Sequence, residues 1–251
     1  MIEGKCGECI WMIKMHTLVI SPGEGNLLAD SNKWPWYKYR QKIKRVIVRP
    51  GVKAITCENM FELLTECTEM DLHNMDTSDV KSMRSMFSMC ESLTKVLLYF
   101  NTRYVEDMSC MFEYCSSLKE LNITGLRTGN VKNMVFMFCG CRSLETLNLS
   151  SFDTRKVTNM RAMFSGCAKL EELNLLHFDT SNVTDMYAMF NGCSRLTALD
   201  LSSFDTSFVT NTAFMFAHCS YLNDINLSSF SMFRVKDAEN MFHGCPCINE
   251  E

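Results

Sequence analysis

Val183-Thr184-Asp185-Met186-Tyr187-Ala188-Met189-Phe190-Asn191-Gly192-Cys193-Ser194-Arg195-Leu196-Thr197-Ala198-Leu199-Asp200-Leu201-Ser202-Ser203-Phe204-Asp205-Thr206-Ser207-Phe208 decides the fold, because the chain keeps repeating it. Val209 opens the next copy 26 residues after Val183. The same step finds openings at Ala54, Val80, Val105, Val131, Val157 and Val235. Residues 80–104 form a copy one residue short, the loss falling near Phe100. A fixed period of this size marks a solenoid, in which each repeat packs only against its neighbours. The reading divides the chain into an N-terminal cap, residues 1–53, and a stack, residues 54–251, of seven repeats and a partial eighth.

Each repeat divides further by its chemistry. Leu173-Asn174-Leu175 alternates, which predicts a strand with both leucines inward. Met70/Leu72, Val96/Leu98, Leu121/Ile123, Leu147/Leu149, Leu199/Leu201 and Ile225/Leu227 are the equivalent pairs. One such strand per turn makes a parallel sheet along the stack. Phe178-Asp179-Thr180-Ser181-Asn182 reads as a turn of short polar side chains that bond their own backbone. The apolar spacing Met186, Met189, Phe190 predicts a short helical piece, capped by Thr184 or Asp185 and ended by Gly192. The expected fold is therefore an α/β repeat solenoid. It is a leucine-rich-repeat-like right-handed stack, with one parallel strand and one short helical segment per turn, closed by an N-terminal cap.

Two columns follow from the period. Cys90, Cys115, Cys141, Cys167, Cys193, Cys219 and Cys245 recur at one position, as do methionine pairs such as Met160/Met163 and Met186/Met189. Buried thiols and thioethers pack as small or adaptable hydrophobes, so both columns are expected to fill the core, with the cysteines reduced. Stacked cysteines also fall within the reach of a disulfide, which stands as the alternative. Cys6-Gly7-Glu8-Cys9 has a metal or redox spacing but no second pair.

The cap reads as two strands, around Trp11-Met12-Ile13 and Thr17-Leu18-Val19-Ile20. A short helix follows, with Ser31-Asn32 as its cap and Trp36, Tyr37, Arg40 and Ile43 at helical spacing, and then a strand, Arg45-Val46-Ile47-Val48-Arg49. Residues 33–53 hold eight basic side chains and no acid, although the whole chain carries −4. Interleaved tryptophans and tyrosines could suit a nucleic acid or a sulfated glycan. Solvated faces of a cap lying against an acidic stack are the simpler reading, and nucleic acid is not the expected partner.

The motif Leu170-x-x-Leu173-x-Leu175-x-x-Phe178-Asp179-Thr180-x-x-Val183-Thr184-x-Met186-x-x-Met189-Phe190-x-Gly192-Cys193 resembles BspA-like leucine-rich repeat proteins. More narrowly, it is similar to the SFDTSxVTxMxxMFxGC repeat domain of bacterial surface lipoproteins. The resemblance implies a secreted or surface-displayed binding module, with host extracellular proteins or other bacterial surface proteins as ligands. The N-terminus itself makes a poor signal peptide, broken by Lys14 and His16, so a surface location comes from the resemblance alone.

No apolar run is long enough to span a membrane. The five histidines are scattered among repeat positions, and no HExxH, GxSxG or phosphate-binding loop is present. The expectation is a protein without enzymatic activity, cofactor or metal. The outward residues of the strands make an acidic, amide-rich strip, from which Glu120, Asn122, Asn148, Glu172, Asn174, Asp200 and Asn226 are the candidate partner-binding residues. Leu97, Tyr99 and Leu176 are its exposed apolar candidates. A ladder of asparagines bonded along the stack would account for the strip without a ligand. A solenoid that merely spaces another domain from a surface is the alternative function.

Overall fold

A computed structural model describes residues 1–29 and 33–246. Ser31 and Asn32, read above as a helix cap, lie outside the described residues. Strands β1 (Ile2–Cys6), β2 (Cys9–Lys14) and β3 (Thr17–Ser21) form an antiparallel meander. β1 is an addition to the strands expected from the sequence, and its edge position lets Gly4 and its charged neighbours remain half in water. Cys6 and Cys9 face each other across the tight turn at Gly7, so the CxxC spacing belongs to a hairpin. A 3₁₀ helix, Tyr37–Lys42, leads to β4 (Arg45–Val48), which pairs parallel with β3 and passes the sheet to the repeats.

The strand face of the stack comes in pieces. β5 (Glu69–Asp71) and β6 (Lys95–Leu97) extend the cap sheet in parallel, giving the order β1-β2-β3-β4-β5-β6. Among the described residues β7 (Glu120–Leu121) pairs only with β8 (Thr146–Leu147), and β9 (Ala198–Asp200) only with β10 (Asp224–Asn226). The first break falls beside the short repeat. The inward assignments hold for Met70, Leu72 and the eight leucines and isoleucines of the pairs from Leu121/Ile123 to Leu199/Leu201, while Val96, Leu98, Ile225 and Leu227 are only partly buried.

The helical segment does not form. Among the described residues the repeats contain no helix, and the path from Met186 to Cys193 is a chain of turns instead. Met189 donates to the Met186 carbonyl, Asn191 to Ala188, and Cys193 to Phe190, all at three-residue spacing. Ala188 and Gly192 lie at φ 52° and 71°. A positive φ at the third residue of such a turn is the type II arrangement, and it cannot continue as a helix. The alternate N–H groups leave the turn altogether. Met186, Ala188, Phe190 and Gly192 donate to Asn211, Ala213, Met215 and Ala217 of the next coil at 2.8–3.0 Å. A helix would need those same donors, and the stack takes them.

Three further columns tie the coils together. Phe61, Phe87, Phe112, Phe138, Phe164, Phe190, Phe216 and Phe242 form one run of stacked rings with centroids 5.1–6.0 Å apart. Each regular thiol from Cys90 to Cys219 donates to the phenylalanine carbonyl of the preceding coil at 3.1–3.2 Å. These cysteines are buried thiols, as expected. Burial pushes the pKa of the thiols from Cys90 to Cys193 upward, to about 12 at Cys141. The third column is the threonine of the Phe-Asp-Thr turn. Thr128 and Thr154 each donate to a carbonyl of the next coil and accept that same residue's N–H, which leaves a buried hydroxyl fully used.

The cap closes the stack by imitating a coil. Carbonyls of the first coil would otherwise lack the donors that every later coil receives. The indole N–H of Trp34 bonds the Glu58 carbonyl at 2.7 Å, and that of Trp36 bonds Met60 at 2.8 Å. Trp36 also stacks on Phe61, extending the ring column. Both tryptophans are buried, which removes them as platforms for nucleic-acid bases.

Candidate functional site

The strand face is where the ladder is incomplete. Among the described residues, no backbone hydrogen bond joins residues 171–175 to the coil on either side. Around this opening lies a groove of about 1240 Å³, running from Thr94–Val96 across the intervening coils to Thr197–Asp200. Its volume exceeds the roughly 300–1,000 Å³ usual for a small-molecule pocket. Alternation places the leucines, Leu121, Leu147, Leu173 and Leu199, on its floor and their polar neighbours on its rim.

All seven candidate residues point to solvent, as the register requires. Glu120, Asn122, Asn148, Glu172, Asn174 and Asp200 line the groove together; Asn226 does not. Leu176 lines it too and is exposed, whereas Leu97 and Tyr99 stand outside it. The sequence reading missed Glu145, Glu171 and His177. Glu145 and Glu171 sit one position before the outward strand residue, and His177 turns back so that Nε2 lies 2.9 Å from the Leu149 carbonyl.

The asparagines do not form a ladder along the stack. Each uses Oδ1 locally, accepting the N–H two residues on: Asn122 from Thr124, Asn148 from Ser150, Asn174 from Leu176. Asp200 makes the same turn with Ser202, and Asn226 with Ser228. This explains why the position is always Asn or Asp from Asn122 onward: the side chain ends the strand. Among the described residues the Nδ2 groups of Asn122, Asn148 and Asn174 have no hydrogen-bond partner. Asn226 instead faces Asp200.

The groove is negative. Glu120, Glu145, Glu171, Glu172 and Asp200 line it, and the N–H and hydroxyl of Ser202 hold the Asp200 carboxyl below its ordinary range. Lys95 also lines it, but its ammonium is engaged by Glu69 at 3.2 Å. Arg195 lies 3.4 Å from Glu171 in an exposed pair, worth little in water. Cations and hydrogen-bond acceptors are the chemistry such a surface receives.

The model of a family described as "Mycoplasma protein of unknown function, DUF285" matches residues 55–170 and 141–251. The chain belongs to this family. Its two matched segments take in the whole repeat region that carries the BspA-like motif. Among solved structures, this DUF285 chain is similar to a leucine-rich repeat protein from Eubacterium ventriosum at 16% identity and a TM-score of 0.42, over 98% of this chain and 94% of that one. It is also similar to the chain in a TLR13–ssRNA13 complex at 15% identity and a TM-score of 0.37, over 75% of this chain and 25% of that one. No curated protein matches the DUF285 chain. Among the described residues, no helix is long and apolar enough to cross a membrane.

Proposed function

We propose that this chain is a non-enzymatic protein-binding module that takes a basic partner on its strand-face groove. The observation that supports the reading is convergence. Six outward residues singled out by the repeat register share one groove with further polar side chains, Glu145, Glu171 and His177 among them, and its ionised groups are predominantly acidic. The regular thiols from Cys90 to Cys193 are poor candidates for chemistry, since burial and raised pKa keep them protonated at neutral pH. An adhesive role in a secreted or surface-displayed protein accords with the BspA-like repeat, with host extracellular or bacterial surface proteins as partners.

The test is a screen of extracellular matrix, plasma and bacterial surface proteins against the intact chain. A variant carrying Asn148→Arg, Glu172→Arg and Asn174→Arg is screened beside it. The partner found should be basic, bind less tightly as salt rises, and lose at least about tenfold in affinity with the variant. Unchanged binding by a well-folded variant would move the site off the groove. No partner for either form would favour the spacer.

A further inference from the structure

The groove carries two kinds of polar group, and only one of them is accounted for by charge. The carboxylates of Glu120, Glu172 and Asp200 suit cationic side chains. The amides of Asn122, Asn148 and Asn174 stand on three successive coils, roughly 4.8 Å apart. Their carbonyl oxygens are consumed by the turns that end each strand. Their Nδ2 groups remain, with two N–H donors apiece and no partner among the described residues. Water serves these exposed donors in the free chain; a partner that displaces it must supply acceptors, and lysine or arginine side chains offer none. The acceptors a basic protein segment does offer are its own backbone carbonyls.

We infer that the groove holds a basic partner as an extended segment lying along the stack, its main-chain carbonyls bonded by Asn122, Asn148 and Asn174 and its cationic side chains paired with Glu120, Glu172 and Asp200. This rests on the groove reading above and adds the conformation and the atoms recognised. The dimensions agree. From the coil of Lys95 to that of Asp200 is four steps, about 19 Å, which an extended chain covers in about six residues. The 171–174 backbone lies at the centre of this path with its own N–H and C=O groups unbonded to neighbouring coils, further acceptors and donors for a main chain.

Asparagine and aspartate make the same local turn here, since Asp200 occupies the Asn position with the same N–H bond. The combined substitution Asn122→Asp, Asn148→Asp and Asn174→Asp therefore keeps the strand ends while deleting six donors and adding negative charge. Fluorescence anisotropy with a labelled lysine–threonine alternating decapeptide reads the outcome, with a glutamate–threonine decapeptide as control. The wild-type chain should bind the lysine peptide only. The triple Asp variant should bind it about fivefold or more weakly, despite its greater charge, with an unchanged melting temperature. Glu120→Gln with Glu172→Gln should weaken it as well. Equal or tighter binding by the Asp variant would show capture by charge alone, overturning the main-chain inference and leaving the groove reading intact. Failure of the wild type to bind the lysine peptide, or equal binding of both peptides, would overturn the two together.

Discussion

Thr180 is sealed from water between two coils, and it shows how a polar residue becomes a core residue in a solenoid. Its hydroxyl donates to the Asp205 carbonyl at 2.9 Å, as Thr154 does to Asp179. Thr180→Val keeps the shape and leaves that carbonyl without its partner, so unfolding experiments should report a loss of about 1–3 kcal/mol. A neutral result would mean the threonine column is only filler. Glycines divide by backbone rather than by space. At Gly192 an added Cβ would meet only ordinary contacts, 3.7 Å from Gly166, but φ is +71°. Gly192→Ala should cost about 1 kcal/mol, the left-handed penalty less the entropy gained in the unfolded chain. At Gly125 nothing lies within 4 Å and φ is ordinary. Gly125→Ala should therefore stabilise by about 0.4–1 kcal/mol. Melting curves that rank the two substitutions the other way would contradict the turn assignment.

At the scale of elements, the methionine and phenylalanine spacing was legible and its secondary structure was not. Side chains at Met186, Met189, Phe190 and Cys193 point inward whether the chain winds as a helix or as successive three-residue-spaced turns. Periodicity reports the face and not the hydrogen bonds. The sign lay in the neighbours: Gly192 reads as the end of a helix, whereas glycine recurs at the second of two positive-φ turn positions in each coil. Ala188, Phe136 and Phe214 adopt positive φ with no sequence mark at all. The strand register was legible because one face is buried and a one-residue slip would invert it. Leu173→Ala should cost about 2–5 kcal/mol, and Glu172→Ala, on the exposed face beside it, under about 0.5 kcal/mol. Equal losses measured by denaturant titration would invalidate that register. The groove itself was not legible, since it arises where the ladder fails to close around residues 171–175, and the Leu173 repeat conforms fully to the motif.

Across the whole molecule, the coils are fastened on one side and looser on the other. The turn face runs without interruption from the tryptophan cap, through four backbone donors to the next coil in each regular repeat, to the last described coil. The strand face is divided into three sheets. That asymmetry gives a one-dimensional stack a groove, because a fully laddered strand face would present only a flat row of outward side chains. Amide hydrogen exchange on the intact free chain, resolved by residue, measures the asymmetry directly. The N–H groups of Met186, Ala188, Phe190 and Gly192 should exchange slowly, at rates set by opening of the stack. Those of Glu172, Leu173 and Asn174 should exchange orders of magnitude faster in the same molecule. Equal, strong protection on both faces would contradict the account, for it would mean the strand ladder is closed and the groove is not there.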